Sequence, residues 1–254
     1  MFNFGVWNVR GLNIPDEKRE VRDLILSNKL ACFGLVETKV KCDNLYAIVR
    51  KIIPGWNCCS NHLSSPSRCI LVLWNLMLLL MEPQFESSQL MVCFFKDVKV
   101  DLSCFISSFY RSNSVLERKI LWDEMAFHDS ANFAYPCIFI GDLNAVRFLE
   151  DRSGVCLDWA FSMDDYNAGI LNSNLVDLHC VGLRFSWRKG FSGVMRKLDR
   201  SLVNPQWLSI FPSSCYDFLP VGLSDHTPIL ISVDVGLHSR KFPFKFFNHL
   251  TDYE

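Results

Sequence analysis

The chain has 254 residues, half of them hydrophobic, and a formal net charge of −1 from 26 basic and 27 acidic side chains. That length and apolar content can bury a substantial core, as one large α/β domain or two small ones, and one is the favoured reading. The near-neutral balance excludes a global electrostatic drive toward nucleic acid, so such a partner would be held by local basic groups in a salt-sensitive way. Eleven cysteines, an odd number without a Cys-x-x-Cys pair, fit a reducing compartment and disfavour paired zinc ligation. The start, Met1-Phe2-Asn3-Phe4-Gly5, lacks the basic region and long apolar stretch of a secretion signal, so secretion is not expected.

Phe2 to Trp7 reads as a strand. Pro15-Asp16-Glu17 opens a helix whose Val21, Leu24, Ile25 and Asn28 share a face, and Cys32–Val36 closes a β-α-β unit. Leu45, Ile48, Val49 and Ile52 repeat the helical spacing, ending near Pro54-Gly55. A polar turn region follows at 61–68. The run from Ile70 to Met81 is very apolar but shorter than the roughly 20 residues a membrane-spanning helix needs, so it reads as buried strand and connection. Strands at Cys69–Trp74, Leu90–Phe95 and Leu102–Tyr110 lie close enough in sequence to suggest antiparallel pairing. Val115–Phe127 is an amphipathic helix, and Pro136 separates it from a strand at Cys137–Ile140. Beyond lie a helix near Asp164–Asn172 and strands near Leu183–Trp187, Met195–Val203 and Thr227–Val233. No internal repeat or low-complexity stretch is visible, and the mixture implies two sheets with helices outside.

Polar residues of catalytic type collect at the strand ends. Gly141-Asp142-Leu143-Asn144 sets a carboxylate and a carboxamide after an apolar run, oxygen donors of the kind that hard metal ions and phosphate chemistry use. Trp7-Asn8-Val9-Arg10-Gly11-Leu12-Asn13, Leu35-Val36-Glu37-Thr38, Leu198-Asp199-Arg200 and Ser224-Asp225-His226 repeat the pattern. Taken singly, each has a bland explanation: a polar turn for Asp-His and Asp-x-Asn, a solvated Glu for Glu37, a surface ion pair for Asp199. The histidines at 62, 128, 179, 238 and 249 lack metal-type spacing.

The ordered set Asn, Glu, Tyr, Asp-x-Asn, Asp and Asp-His resembles the endonuclease/exonuclease/phosphatase (DNase I-like) superfamily over Phe2 to Val233. The resemblance is closer to the endonuclease domain of plant non-LTR (LINE-type) retrotransposons. It is carried by residues 7–13, Gly34-Leu-Val-Glu-Thr-Lys-Val40, Ser112-Asn-Ser-Val-Leu-Glu-Arg118, Lys197-Leu-Asp-Arg-Ser-Leu-Val-Asn204 and Phe244-Lys-Phe-Phe-Asn248. It implies a four-layered α/β sandwich, two mixed β-sheets flanked by helices, over residues 1–235. The basic-aromatic tail at 236–254 then resembles a linker toward a polymerase region. It also implies a Mg²⁺- or Mn²⁺-dependent endonuclease that nicks DNA to leave a 3′-hydroxyl. Glu37 is then the chief metal ligand, with Asn8 and Asp225 completing the shell. Asp142 positions or deprotonates water, Asn144 holds a phosphate oxygen, His226 oriented by Asp199 meets the phosphate, and Tyr110 reaches it. Arg10, Arg111, Asn113 and Arg196 stand near these patches as DNA contacts. Leu143 departs from the Phe usual at that point. An intracellular, nuclear, monomeric protein with no membrane partner is the expectation. The alternatives are a phosphatase of small phosphoesters in the same superfamily and an inactive remnant or interaction domain.

Overall fold

The computed structural model describes residues 2–66, 69–112, 115–154, 160–190 and 193–233; the tail at 236–254 and Asn113 lie outside them. β1 (Phe2–Asn8), α1 (Pro15–Ser27) and β2 (Cys32–Val36) make the expected unit, with Asn8 opposite Val36 in a parallel pair. α1 begins at Pro15, which needs no N–H partner there, and the Glu17 carboxylate accepts the Asn13 and Ile14 N–H groups at 2.7 and 3.0 Å. α2 (Leu45–Ile52) buries Leu45, Ile48, Val49 and Ile52, the face its spacing demanded.

β3 (Asn57–Ser60), β4 (Leu71–Trp74), β5 (Leu79–Glu86), β6 (Leu90–Asp97) and β7 (Ser103–Tyr110) follow. Then come α3 (Val115–Ala131), β8 (Cys137–Asp142), α4 (Ala160–Ser173) and the short strands β9 (Val176–Asp177) and β10 (Cys180–Gly182). A hairpin of β11 (Trp187–Arg188) and β12 (Met195–Arg196) precedes β13 (Asp199–Val203), α5 (Pro205–Ile210), β14 (Cys215–Phe218) and β15 (Ile229–Val233). One sheet runs β10-β14-β15-β1-β2-β4-β3, the other β5-β6-β7-β8-β13-β9.

Side chains alternate across each strand, and the alternation builds the layers. Phe4 and Val6 of β1 face Ile138 and Ile140 of β8 in a core between the sheets. Trp7, Phe33 and Leu35 point the other way, onto Val21 and Ile25 of α1 and Ile48 and Val49 of α2. Phe105, Phe109 and Phe139 pack on Leu121, Trp122 and Met125 of α3 and on Tyr166 and Ile170 of α4. The result is the expected helix-sheet-sheet-helix sandwich. Among the described residues, no helix is long and apolar enough to cross a membrane.

Three readings of the sequence need correction. β6 and β7 do pair antiparallel, but β4 belongs to the other sheet, between β2 and β3. The apolar run to Met81 is not wholly buried: Met77 is 78% exposed in a turn, and Leu80 is 56% exposed on β5, the edge strand of its sheet. The strand expected to end at Trp187 occupies only Trp187–Arg188.

At Gly141 the sheet leaves no room for a side chain, since a Cβ there would lie 1.9 Å from the Phe109 carbonyl oxygen. The obstacle is backbone of β7 and cannot swing aside. Gly141→Ala should therefore lower stability by about 1–3 kcal/mol, the usual range for overpacking. Chemical denaturation would measure it, and a change below a few tenths of a kcal/mol would contradict this packing.

Candidate active site

The inward alternation of both central strands ends on polar residues: Phe4-x-Val6-x-Asn8 in one sheet and Ile138-x-Ile140-x-Asp142 in the other. Asn8 and Asp142 therefore meet where the sandwich opens, and Asn8 Nδ2 donates to Asp142 Oδ2 at 3.0 Å. Register brings two further residues into the same row, because Asp142 pairs with Tyr110 of β7 on one side and Asp199 of β13 on the other. All four are buried.

Glu37 follows β2 and would continue the outward set of Phe33 and Leu35. The strand has ended there, however, and Glu37 takes a left-handed backbone (φ 54°), and its Oε1 lies 3.4 Å from Asn8 Nδ2. Of six non-glycine residues with left-handed backbone among those described, four lie here: Arg10, Glu37, Lys39 and Asn144. Such conformations cost free energy and persist where surrounding contacts hold them. Asn144 N–H donates to Asp142 Oδ1 at 2.7 Å and its Nδ2 to the Arg111 carbonyl at 2.8 Å. Arg10 N–H donates to Asn8 Oδ1, and Lys39 Nζ to the Arg10 carbonyl.

His226 completes the group. Its Nδ1 is 2.8 Å from Asp199 Oδ2, and its Nε2 lies 3.7 Å from Asp142 Oδ2. Burial alone would lower the imidazole pKa, but Asp199 and Asp142 overcome it and raise it to about 9. Asp142 moves up to about 6, chiefly because it is buried, with Asp199 adding to the shift and His226 opposing it. Near pH 7 the site thus holds an imidazolium between carboxylates. Asp142, Asp199 and His226 are close enough together to ligate one ion. Asp199 holds the ring from Nδ1 and Nε2 faces Asp142, so the same group is also set to handle a proton.

The carboxylates of Glu37 and Asp142 suit a hard divalent cation, whereas the Asn8 Oδ1 is taken by the Arg10 N–H. Glu37 and Asp142 are both buried and converge on one carboxamide, whose Nδ2 as placed faces the two carboxylates. Asp225 is turned elsewhere: Oδ1 accepts from Arg10 Nε at 3.0 Å, and Oδ2 from Arg10 Nη2 at 3.2 Å and Trp187 Nε1 at 2.8 Å.

The expected DNA contacts divide. Arg10 is at the mouth, with its side chain 44% exposed. Arg196 lies over the Trp187 ring at 5.2 Å, one side chain away from Asp225. Arg111 has a wholly buried side chain, bonded to the Leu143 carbonyl at 3.0 Å and paired with Asp165, and burial lowers its pKa to about 10. It fixes the 143–144 turn from behind and is not set to meet a phosphate. Three supporting residues lie outside the catalytic set expected from the sequence. Ser186 Oγ accepts the Leu198 and Asp199 N–H groups at 2.9 Å. Ser224 Oγ donates to the Asn8 carbonyl at 2.7 Å and accepts the His226 N–H. Trp187 holds Asp225. Ser224 carried a signal in its place beside Asp-His, and Trp187 in an aromatic-basic segment, but neither pointed to these partners.

His226 gains its proton affinity on folding, so its contribution to stability is complete below the unfolded value near 6.5 and is lost as pH rises through about 9. Stability should fall across that window, and the fall should be absent in His226→Gln. Asp199→Asn should lower the imidazole pKa by more than about one unit, since a direct charge partner commonly shifts a group by that much. NMR titration of the ring protons would read this; an unchanged pKa would remove Asp199 as the partner.

No protein-family model and no curated protein matches the chain. Solved structures do. An AP endonuclease from Leishmania major superposes with a TM-score of 0.72 at 16% identity, over 91% of this chain and 86% of that one. The endonuclease domain of TRAS1, a telomere-specific non-LTR retrotransposon, gives 0.70 at 11% identity over 92% and 98%. A mannosyl-6-phosphatase from Bacteroides thetaiotaomicron gives 0.64 at 12% identity over 92% and 100%. Identities this low speak for fold alone, and the fold of this chain is the one these structures share.

Proposed function

We propose that the protein is a divalent-metal-dependent phosphodiesterase that nicks DNA and leaves a 3′-hydroxyl. The observation that carries this is the pairing of Asp142 with the Asp199-anchored His226. Both proton affinities are raised, that of Asp142 to about 6 by burial and that of His226 to about 9 by its carboxylate neighbours, which brings Asp142 toward the range where it can accept a proton at neutral pH and keeps positive charge on the imidazole. DNA as substrate is supported by exposed Arg188 in β11 and exposed Arg184 and Lys189 beside it, a strand whose Trp187 bridges to His226. The fold shared with two endonucleases adds to this. Affinity would come from local phosphate contacts, as the overall charge requires.

In the proposed reaction Asp142 takes a proton from water. The water oxygen bonds to phosphorus in line with the 3′-oxygen, the P–O3′ bond breaks, and the 3′-oxygen leaves, taking up a proton from solvent. His226 and Asn144 stabilise the charge that develops on the non-bridging oxygens. Tyr110 stands beside Asp142 in the row. A Mg²⁺ or Mn²⁺ ion held chiefly by Glu37 would supply Lewis-acid charge stabilisation.

Supercoiled plasmid should be nicked with Mg²⁺ and left intact with EDTA, and the nicks should be extended by a polymerase without prior phosphatase treatment. Glu37→Gln should weaken the response to Mg²⁺. His226→Ala should slow turnover about a hundredfold or more, the size of effect seen when such a charge donor is lost. Turnover of small phosphomonoesters with plasmid untouched would replace this reading with the phosphatase one. Normal turnover by His226→Ala would refute the mechanism.

A further inference from the structure

Arg10 touches two carboxylates at the mouth of the site. Its fork grips Asp225 with Nε and Nη2 at 3.0 and 3.2 Å, while Nη1 faces Glu37 Oε2 at 3.7 Å. The two contacts are unequal. Toward Asp225 both N–H bonds are made, in the planar geometry that suits a carboxylate. Toward Glu37 only a longer electrostatic contact remains.

Asp225 is committed. Both its oxygens accept hydrogen bonds, Oδ2 from the rigid Trp187 indole as well as from Arg10. Burial opposes its ionisation, but the Arg10 bond, His226 and Trp187 outweigh it and hold its carboxyl below the ordinary range. Glu37 is buried and has Asn8 on its other oxygen. Without Arg10 its charge would stand near the Asp142 carboxylate with little compensation. The Arg10 backbone is itself held from both ends, its N–H by Asn8 and its carbonyl by Lys39, in a left-handed conformation.

We propose that Arg10 is an internal counter-cation that a divalent ion must displace from Glu37, and that Asp225 serves as Arg10's holder rather than as a metal ligand. This rests on the proposed role of Glu37 as the metal ligand. Arg10 thereby lowers the site's affinity for metal while stabilising the metal-free chain. Once displaced from Glu37 it stays tethered to Asp225 at the mouth, its side chain half in solvent, where a phosphate can reach it.

The test uses Mn²⁺ alone, without DNA, titrated calorimetrically into the full chain. Arg10→Met should bind Mn²⁺ about two- to fivefold tighter than the unsubstituted protein, matching the loss of a partly exposed ion pair. In EDTA the same variant should melt about 2–4 °C lower, which corresponds to about 1 kcal/mol in a chain of this size. Arg188→Met removes an equal charge from the exposed strand β11 and measures the through-space effect; its Mn²⁺ affinity should change much less. Asp225→Ala should still bind Mn²⁺ through Glu37, with affinity within about threefold of the unsubstituted protein. Equal gains in affinity from Arg10→Met and Arg188→Met, or no gain from Arg10→Met, would overturn the proposal, as would loss of Mn²⁺ binding in Asp225→Ala. Absence of Mn²⁺ binding by every form, including the unsubstituted protein, would overturn the metal reading of Glu37 and this proposal with it. Binding abolished by Glu37→Gln, with Arg10→Met no tighter than the starting protein, would sink this proposal alone.

Discussion

The hydrogen bond from Asn8 to Asp142 joins the two sheets at the point where their cores run out, and the site is organised around it. Inward-facing apolar residues hold β1 against β8 along most of their length. At the last inward position that packing is replaced by a carboxamide and a carboxylate, in a place where a buried polar group must find a partner. Each is the other's partner across the seam. A small relative shift of the sheets would break this bond and expose Asp142, so the sandwich and the site are fixed by the same contact.

Buried charge follows from that arrangement. Asp142, Asp199, Glu37 and His226 are all nearly inaccessible, and each would be costly alone. Their mutual contacts reduce the cost, and the backbone at Asp199 and His226 is fixed by the Ser186 and Ser224 hydroxyls, which accept their N–H groups. Replacing such a group by apolar residues is often neutral or stabilising, so stability alone gives no reason for it. Left-handed backbone at Arg10, Glu37, Lys39 and Asn144 points the same way. Strain and buried charge are concentrated at one end of the sandwich, as expected where chemistry rather than packing selects the residues.

The central strands were legible because alternation and apolar runs are local, and α2 because four apolar residues repeat at helical spacing. The edges were not. β5 carries Leu80 and Met81 like a core strand, and only its position at the sheet's margin leaves one of them in water. The pairing of β4 with β2 rather than β6 depends on chain segments far apart in sequence, which spacing cannot report. At the site, residue types and order pointed to strand ends. Hydrogen-bond partners did not follow from them: Trp187 on Asp225 and Ser186 beneath Asp199 join residues 38 and 13 positions apart. Such contacts exist only once the hairpin β11-β12 is folded over the mouth.

Arginine shows most clearly what residue type leaves open. Arg10, Arg111 and Arg200 all adjoin catalytic-type motifs, and residue type alone does not separate their roles. The fold gives them three. Arg200 is buried between Asp151 and Asp177, with Arg147 sharing Asp177 at 2.7 Å, and ties β13 to the loops below the site. Arg111 is buried behind the Asn144 turn. Its guanidinium bonds the Leu143 carbonyl and its own carbonyl receives Asn144, so one residue holds that turn from two sides. Arg10 alone remains half in solvent with carboxylates on two sides. Depth decides among these outcomes: a desolvated guanidinium needs fixed acceptors and becomes structural, whereas one at the mouth can exchange partners. The residue that can exchange is the one that contacts Glu37.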